Sequence, residues 1–503
     1  MPGIIARLKQ RLKQRFWRIG RATGYVRMRR KRFTALFLFV AHILGALTSV
    51  QAIMTTRTSQ GAIAWAVSLN IFPYLAVPAY WVFGRSKFEG YVKQRRGTDG
   101  KGAPVVGDFI RRADRSGLIA PDTGGDKQLL DRLARLPATT GNDVELLRGG
   151  DAIFPSILEG IDRARNYVLV QYYIVRDDDL GKRLKRHLIA AMARGVKVKF
   201  IYDEVGSAGL PGNYLAELRG AGAEMLAFNS MKGITNRFQL NFRNHRKIVV
   251  TDGRMAWIGG ANIGDEYTSG HQKMTALHDT AVKVTGPAVQ TIQVSFEEDW
   301  LWASDRLLEL EWTPEPAPAA ANKTVRCIAS GPADRLETCT LYFLHLINSA
   351  TTRLWISSPY FVPDEQIVSA LKLAALRGVD VRILVPDKGD SRLIDLSGWA
   401  FVPQLGAVGV KIHRHTRGFL HQKVILVDSD LATVGTANFD NRSFRLNFEI
   451  TLEVRDRAFA GQVAAMLEKD FADARRVAPG EPDDRGFLFR FGVRAASLLA
   501  PIQ

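Results

Sequence analysis

HRKIVVTDGRMAWIGGAN, residues 245–262, and HQKVILVDSDLATVGTAN, residues 421–438, are two copies of one pattern. In each, His is followed by Lys two positions on, Asp five after that and Asn ten further. The offset between the copies is 421 − 245 = 176 residues. Between Lys and Asp, IVVT and VILV are apolar or β-branched, which predicts a buried strand. His and Lys at i and i+2 share one face of an extended chain. Imidazole serves as nucleophile or general acid–base near neutral pH, lysine supplies positive charge, and asparagine adds neutral donors. The small pairs Gly259–Gly260 and Gly435–Thr436 let the backbone approach a ligand closely. A single HxK is usually a surface pair; two copies at identical spacing point to chemistry.

The flanks repeat as well. Before the first copy, Phe154–Ala164 reads as a helix, Tyr167–Val175 as a buried strand, Gly181–Ala193 as a helix and Val196–Asp203 as a strand. Before the second, the same order runs through Thr340–Ala350, Leu354–Val362, Glu365–Leu376 and the strand after Leu376. ARGVKVKFIYD at Ala193 and LRGVDVRILVPD at Leu376 are the same turn leading into the same strand type. The fold class expected is α/β: a duplicated unit, each copy a mixed β-sheet flanked by helices and carrying half of the chemistry. The units are placed at 144–312 and 323–480, joined by a Pro/Ala linker at 313–322. Residues 85–143 read as a weakly patterned connecting segment. The tail at 481–503 ends in FLFRFGVRAASLLAPIQ, apolar with two arginines, suited either to a membrane surface or to packing on the body.

At 503 residues the chain is too long for one compact domain. A formal charge of +19 implies an acidic partner such as nucleic acid, anionic lipid or a phosphorylated substrate. Cys327 and Cys339 are the only cysteines, which excludes a disulfide framework or cysteine metal cluster. Residues 1–32 are basic without an acidic residue, and Ile4, Leu8, Leu12 and Phe16 recur every four positions, as in a basic amphipathic arm. Phe33–Met54 and Gly61–Gly84 carry no charge, so 33–84 reads as two transmembrane helices, the second kinked at Pro73 and Pro78. Arg85, Lys87, Lys93, Arg95 and Arg96 follow the hairpin and only Arg57 lies in its turn, placing both ends in the cytoplasm.

The two motifs match the HKD signature of the phospholipase D superfamily, and the duplicated part resembles that superfamily end to end. The hairpin, with AIAWAVSLNIFPYLAVPAYWVFG running into a basic stretch, looks like the membrane segment of bacterial cardiolipin synthases. The resemblance implies a pseudo-twofold pair of phospholipase D-like units behind a transmembrane hairpin. It implies that one of His245 and His421 attacks phosphorus to give a phosphohistidine while the other protonates the leaving alcohol, with His245 favoured as nucleophile. Lys247, Lys423, Asn262 and Asn438 would hold phosphoryl oxygens, and Asp252 and Asp428 would support the motif. A downstream carboxylate would orient the imidazole of its own motif: Glu449, at 449 − 421 = 28 residues, and Asp279, at 279 − 245 = 34. His278, beside Asp279, is read as non-catalytic. GGAN stands where Ser or Thr often follows the first Gly, so one hydroxyl contact to phosphate is expected to be missing.

The activity implied is transfer of the phosphatidyl group of one phosphatidylglycerol to another, giving cardiolipin and glycerol. A hydrolytic phospholipase D and a phosphatidylserine synthase are the alternatives. A membrane-tethered nuclease, or a non-enzymatic nucleic-acid-binding tether, ranks lower, because spans and paired imidazoles would serve neither. No cofactor and no metal are expected. The expected partners are phosphatidylglycerol and other anionic phospholipids in the bilayer, with no nucleic acid; a homo-oligomer stays open. The location implied is the bacterial inner membrane, multi-pass, with the catalytic body in the cytoplasm.

Overall fold

The computed structural model describes residues 30–84, 103–122, 125–228, 241–268, 277–318 and 321–502. The basic arm at 1–29 and the juxtamembrane positions Arg85 to Arg96 lie outside them. Two compact units emerge, an N-terminal helical one and a larger α/β body.

In the N-terminal unit, the helix Arg30–Thr55 is long and apolar enough to cross a membrane. The second apolar run departs from the single kinked span expected. It forms two helices, Ser59–Ile71 and Pro73–Phe83, separated at Phe72. Pro73 has no N–H to donate and disfavours helical backbone at the residue before it, so Phe72 leaves the helix (φ −127°, ψ 55°) and Pro73 starts the next. Pro78 is carried inside that second helix. Gly45 allows the first helix to approach Leu69 closely: a Cβ there would stand 2.2 Å from the Leu69 carbonyl oxygen. Ala52, Leu69, Ala76 and Tyr80 form the small core of this unit.

Among the described residues, the body is organised by a 16-stranded mixed sheet. Its first half contributes β1 (Thr139–Arg148), β2 (Tyr167–Tyr172), β3 (Lys197–Asp203), β4 (Glu224–Phe228), β5 (Arg243–Asn244), β6 (Ile248–Thr251), β7 (Met255–Gly259) and β8 (Thr280–Thr285). The second contributes β9 (Lys323–Ser330), β10 (Arg353–Ser357), β12 (Asp380–Pro386), β13 (Lys411–His415), β14 (Val424–Val427), β15 (Leu431–Gly435), β17 (Asn447–Arg455) and β18 (Ala474–Arg476). The short β11 (Phe361–Val362) and β16 (Phe439–Asp440) form a separate two-stranded parallel sheet. The order β4-β3-β2-β6-β7-β8-β1 is mirrored by β13-β12-β10-β14-β15-β17-β9, and antiparallel β1–β9 pairing joins the halves. A pseudo-twofold relation therefore runs through the sheet itself.

The motif strands explain this placement. β6 and β14 are buried at every position, as expected of strands covered on both faces. Each turns back antiparallel into β7 or β15 through Asp252 or Asp428, both left-handed at φ 52° and 51°, a conformation aspartate tolerates better than most residues. The helices Ala288–Ser304 and Arg457–Ala472 share one core with strands of both halves, including Ile292, Phe296, Trp300, Val463, Leu467, Ile258 and Ile450.

The stretch read as an unpatterned connection needs correction. It holds the helices Ala103–Arg115 and Lys127–Ala134 and the start of β1. Their buried stripes, Phe109 with Ala113 and Leu130 with Leu133 and Ala134, are too short to stand out from a polar, Gly-broken sequence. The Pro/Ala stretch is irregular but not loose: Ala317 N–H donates to the Gly141 carbonyl at 2.8 Å.

Candidate active site

The two motif histidines emerge at matching places. His245 N–H donates to the Phe448 carbonyl at 2.9 Å, and His421 N–H donates to the His278 carbonyl at 2.8 Å. In both cases the accepting residue immediately precedes a buried carboxylate. The consequence is a crossed pairing. His245 Nδ1 lies 3.0 Å from both oxygens of Glu449, and His421 Nδ1 lies 2.7 Å from Asp279 Oδ2. Each carboxylate thus serves the imidazole of the other half, correcting the expectation that it serves its own. Parallel pairing of β5 with β17 carries Asn244 opposite Phe448 and so delivers His245 to Glu449.

An ionised carboxylate only accepts, so each Nδ1 carries the proton and each Nε2 is left with a lone pair. Burial pushes the His245 imidazole down to about 4 against the pull of Glu449, and His421 is lowered for the same first reason, with Lys423 adding to it. Burial alone would raise Glu449; its interaction and hydrogen bond with His245, together with the Lys247 charge, outweigh it and hold the carboxyl below its ordinary range. Two neutral imidazoles backed by carboxylates result.

The lysines lie beneath them. Lys247 Nζ donates to the His245 carbonyl at 2.6 Å, and Lys423 Nζ donates to the His421 carbonyl and sits 3.0 Å from His421 Nδ1. Burial lowers both, Lys247 well below its ordinary value and Lys423 to about 8. Lys423 lowers Lys247 and Lys247 lowers His421, so the two motifs share one electrostatic site.

The asparagines differ. The Asn262 amide is engaged: Oδ1 accepts from Ile174 N–H at 3.1 Å and Nδ2 lies 3.0 Å from the Tyr267 hydroxyl. Asn438 Oδ1 is buried without a partner among the described residues. Asp252 and Asp428 are turn residues, held away from the imidazoles. Asp252 accepts the N–H groups of Arg165, Asn166 and Tyr167; Asp428 accepts those of Thr351, Thr352 and Arg353 together with both threonine hydroxyls. Each lies five positions along the chain from its lysine, ~16 Å at the usual strand rise. Their support of the motif takes the form of anchoring the chain that enters β2 and β10.

Several site residues give no signal in the sequence. Tyr173 packs edge-on against His245 at 5.1 Å with Lys247 Nζ 5.3 Å from its ring centre, and Tyr267 packs edge-on against His421 at 5.8 Å. Glu449 accepts from Thr436 Oγ1 at 2.6 Å, Ser443 Oγ at 2.8 Å and Asn447 Nδ2 at 3.2 Å. The Thr436 hydroxyl is therefore committed to the carboxylate. At the matching Gly260, an added Cβ would fall 2.4 Å from Asp279 Oδ1, so Asp279 occupies the space of the missing side chain. The residue between His and Lys is also structural: Arg246 forms a buried pair with Asp299 at 2.8 Å, and Gln422 Nε2 donates to Asp470 at 2.7 Å.

Two lone-pair nitrogens, each backed by a carboxylate and flanked by a lysine, suit in-line displacement at an anionic phosphorus. Known proteins share this framework. A family model described as "Cardiolipin synthase, PLD-like domain" matches residues 157–300 and 343–471. Cardiolipin synthase A of Pseudomonas putida is 45% identical over 475 residues, spanning 93% of this chain and 98% of that protein. Cardiolipin synthase A of Pseudomonas aeruginosa (strain LESB58) is 44% identical over 473 residues, spanning 93% and 96%. The crystal structure of phosphatidylserine synthase from Haemophilus influenzae Rd KW20 superposes at a TM-score of 0.55, covering 72% of this chain and 95% of that one at 15% identity, a likeness of fold. With both HKD motifs inside the matched segments, the chain belongs to the cardiolipin synthase family of phospholipase D-like proteins.

Proposed function

We propose that this membrane enzyme is a phosphatidyltransferase making cardiolipin and glycerol from two phosphatidylglycerol molecules through a phosphohistidine. The observation that carries the mechanism is the crossed pair of buried imidazoles, each with its Nδ1 tied to a carboxylate and its Nε2 left with a lone pair. His245 Nε2 attacks the phosphorus of the first phosphatidylglycerol, and the bond from phosphorus to the headgroup glycerol oxygen breaks. His421 takes up a proton from solvent at Nε2 as the anionic phosphate enters, then gives it to that oxygen, and glycerol leaves. A hydroxyl of the second phosphatidylglycerol then loses its proton to His421 and attacks the phosphohistidine, forming cardiolipin and freeing His245. Lys247 and Lys423 face the non-bridging oxygens; the substrate's negative charge restores the protonation that burial weakens. Asn438, whose buried amide oxygen is an acceptor without a partner among the described residues, is disposed to receive a headgroup hydroxyl rather than a phosphoryl oxygen.

The same reading takes the substrates to be phosphatidylglycerol and other anionic phospholipids. It places the enzyme in the inner membrane as a multi-pass protein with its body in the cytoplasm. Both halves of the site come from one chain, so a second copy is not needed for chemistry. The test is purified full-length protein with phosphatidylglycerol in mixed micelles, with separation of the products. Cardiolipin with stoichiometric glycerol supports the reading. Phosphatidic acid alone would make the enzyme a hydrolase, and phosphatidylserine formed only on adding serine and a nucleotide-activated lipid would make it a phosphatidylserine synthase. His245→Ala and His421→Ala should each abolish turnover.

A further inference from the structure

The C-terminal helix Phe487–Ser497 has two apolar faces. One is packed: Val493 and Ala496 are buried, and Phe489 meets Trp399 edge-on at 5.9 Å. The opposite arc carries Phe487, Leu488, Phe491 and, just beyond the helix, Leu498, exposed at 69%, 83%, 62% and 80%. At 3.6 residues per turn these four fall on one side, with Arg490 and Arg494, the only charged residues of the helix, along one edge. A terminal helix that merely closed a water-facing body would carry polar residues there.

This helix is not a fraying end. Before it, Arg485 stacks on Trp399 at 4.6 Å and pairs with Glu481 at 3.1 Å. After it, Asn441 Nδ2 donates to the Ala500 carbonyl at 3.1 Å and to the Val362 carbonyl at 2.9 Å. Asn441 lies three residues beyond Asn438, so the end of the chain is tied to the segment that carries the second motif. A groove open to solvent runs along the helix between Trp399, Pro403, Phe487, Phe491 and Arg494.

We infer that the exposed arc is a membrane-contact surface, seated in the interfacial region of an anionic bilayer. Phe487, Leu488, Phe491 and Leu498 enter the acyl boundary while Arg490 and Arg494 meet lipid phosphates. The apolar arc with a cationic edge selects this occupant, since a neutral apolar partner would leave the arginines without a counter-charge. The inference rests on the phospholipid substrate of the proposed function, and it adds a contact that holds the second motif near the headgroups.

The test uses full-length protein in nanodiscs of phosphatidylglycerol and phosphatidylcholine. Cys327 and Cys339 are both buried, so introduced cysteines take the label selectively. An environment-sensitive fluorophore is placed at Leu488→Cys, at Phe491→Cys and, as a polar reference before the helix, at Asp484→Cys. The expected result is blue-shifted emission at 488 and 491, mostly lost when acyl chains carry nitroxides and insensitive to aqueous iodide, with the reverse at 484. Iodide quenching at 488 and 491 overturns the inference by showing a wet face. Protection from both quenchers overturns it in favour of another protein surface, with disulfide formation between two unlabelled Leu488→Cys chains identifying a second copy. Turnover is measured separately: lipid quenching in a protein that makes no cardiolipin would sink the proposed function and leave this contact standing.

Discussion

His245 and Glu449 are 204 residues apart in sequence and 3.0 Å apart at the centre of the site. His421 and Asp279 repeat the relation across 142 residues at 2.7 Å. Neither repeat alone contains a histidine backed by its own carboxylate, so duplication is a condition for the chemistry as well as for the shape. The buried carboxylate fixes the tautomer and stabilises the imidazolium as phosphorus is attacked or the leaving oxygen is protonated.

Glu449→Gln should therefore lower kcat by up to ~10⁴, the effect seen when a buried carboxylate behind a catalytic histidine becomes an amide. Because its partner is His245, the variant should fail to accumulate phosphohistidine in rapid quench. Combining it with His245→Ala should add almost no further loss, whereas combining it with Lys423→Ala should. A Glu449→Gln enzyme that forms phosphohistidine at the normal rate would show that the crossed pair does not act on the attack step.

Asp252 and Asp428 should behave as structural residues. Asp428 is pulled down to about 2 by the Thr352 and Arg353 N–H groups and the threonine hydroxyls, against the upward push of burial. Its contribution is present above its unfolded value near 4 and is lost as pH falls towards 2. Asp428→Asn keeps the turn but gives up charge-assisted bonds, at a cost of ~1–3 kcal/mol. The expected outcome is a lower apparent Tm in detergent, with kcat of the folded fraction within a few-fold of wild type. A loss of kcat comparable to His421→Ala, without loss of Tm, would give these aspartates a direct part in the chemistry.

What the sequence disclosed and what it hid divide along a physical line. Period, spacing and burial are local, so the motif strands IVVT and VILV, the paired imidazoles and lysines and the duplication were legible. The crossing of Glu449 to His245 depends on how β5 lies beside β17, which no spacing encodes. Thr436 looked like a missing phosphate contact in the other copy because its hydroxyl could serve either group; only the 2.6 Å bond to Glu449 decides. The short helices Ala103–Arg115 and Lys127–Ala134 escaped because a one-to-two-turn apolar stripe is weaker than the polar residues around it. Pro73 was visible as a kink, but whether a proline bends or ends a helix depends on the backbone of the residue before it.

The buried histidines also make the fold acid-sensitive. His245 ionises near 4 in the folded chain against about 6.5 unfolded. The unfolded state therefore binds a proton first, and stability falls as pH drops through this window. Between pH 7.5 and 5, above most carboxylate titration, this group alone should withdraw roughly 2 kcal/mol. His245→Gln removes that dependence, so its apparent Tm should decline less than that of wild type over the same range. Parallel Tm curves would mean that His245 already holds its proton in the folded site.

Gly260 and Thr436 occupy matching places, and their substitution should separate the two histidines. A Cβ at Gly260 would stand 2.4 Å and 2.8 Å from the two oxygens of Asp279. Asp279 has one methylene with which to retreat, and retreat lengthens its 2.7 Å bond to His421 Nδ1. Gly260→Ala should therefore impair the proton transfers assigned to His421: departure of glycerol and activation of the incoming hydroxyl. Thr436→Val should act through Glu449 on His245, removing one of several donors to that carboxylate and leaving the others in place. Its loss of kcat should be smaller, ~10–10²-fold for one hydrogen bond to an ionised carboxylate of ~1.5–3 kcal/mol. A substrate analogue whose leaving group needs no proton distinguishes them: it should rescue phosphohistidine formation in Gly260→Ala and leave Thr436→Val unchanged. Rescue of both, or of neither, would contradict the assignment of His245 to attack and His421 to proton transfer.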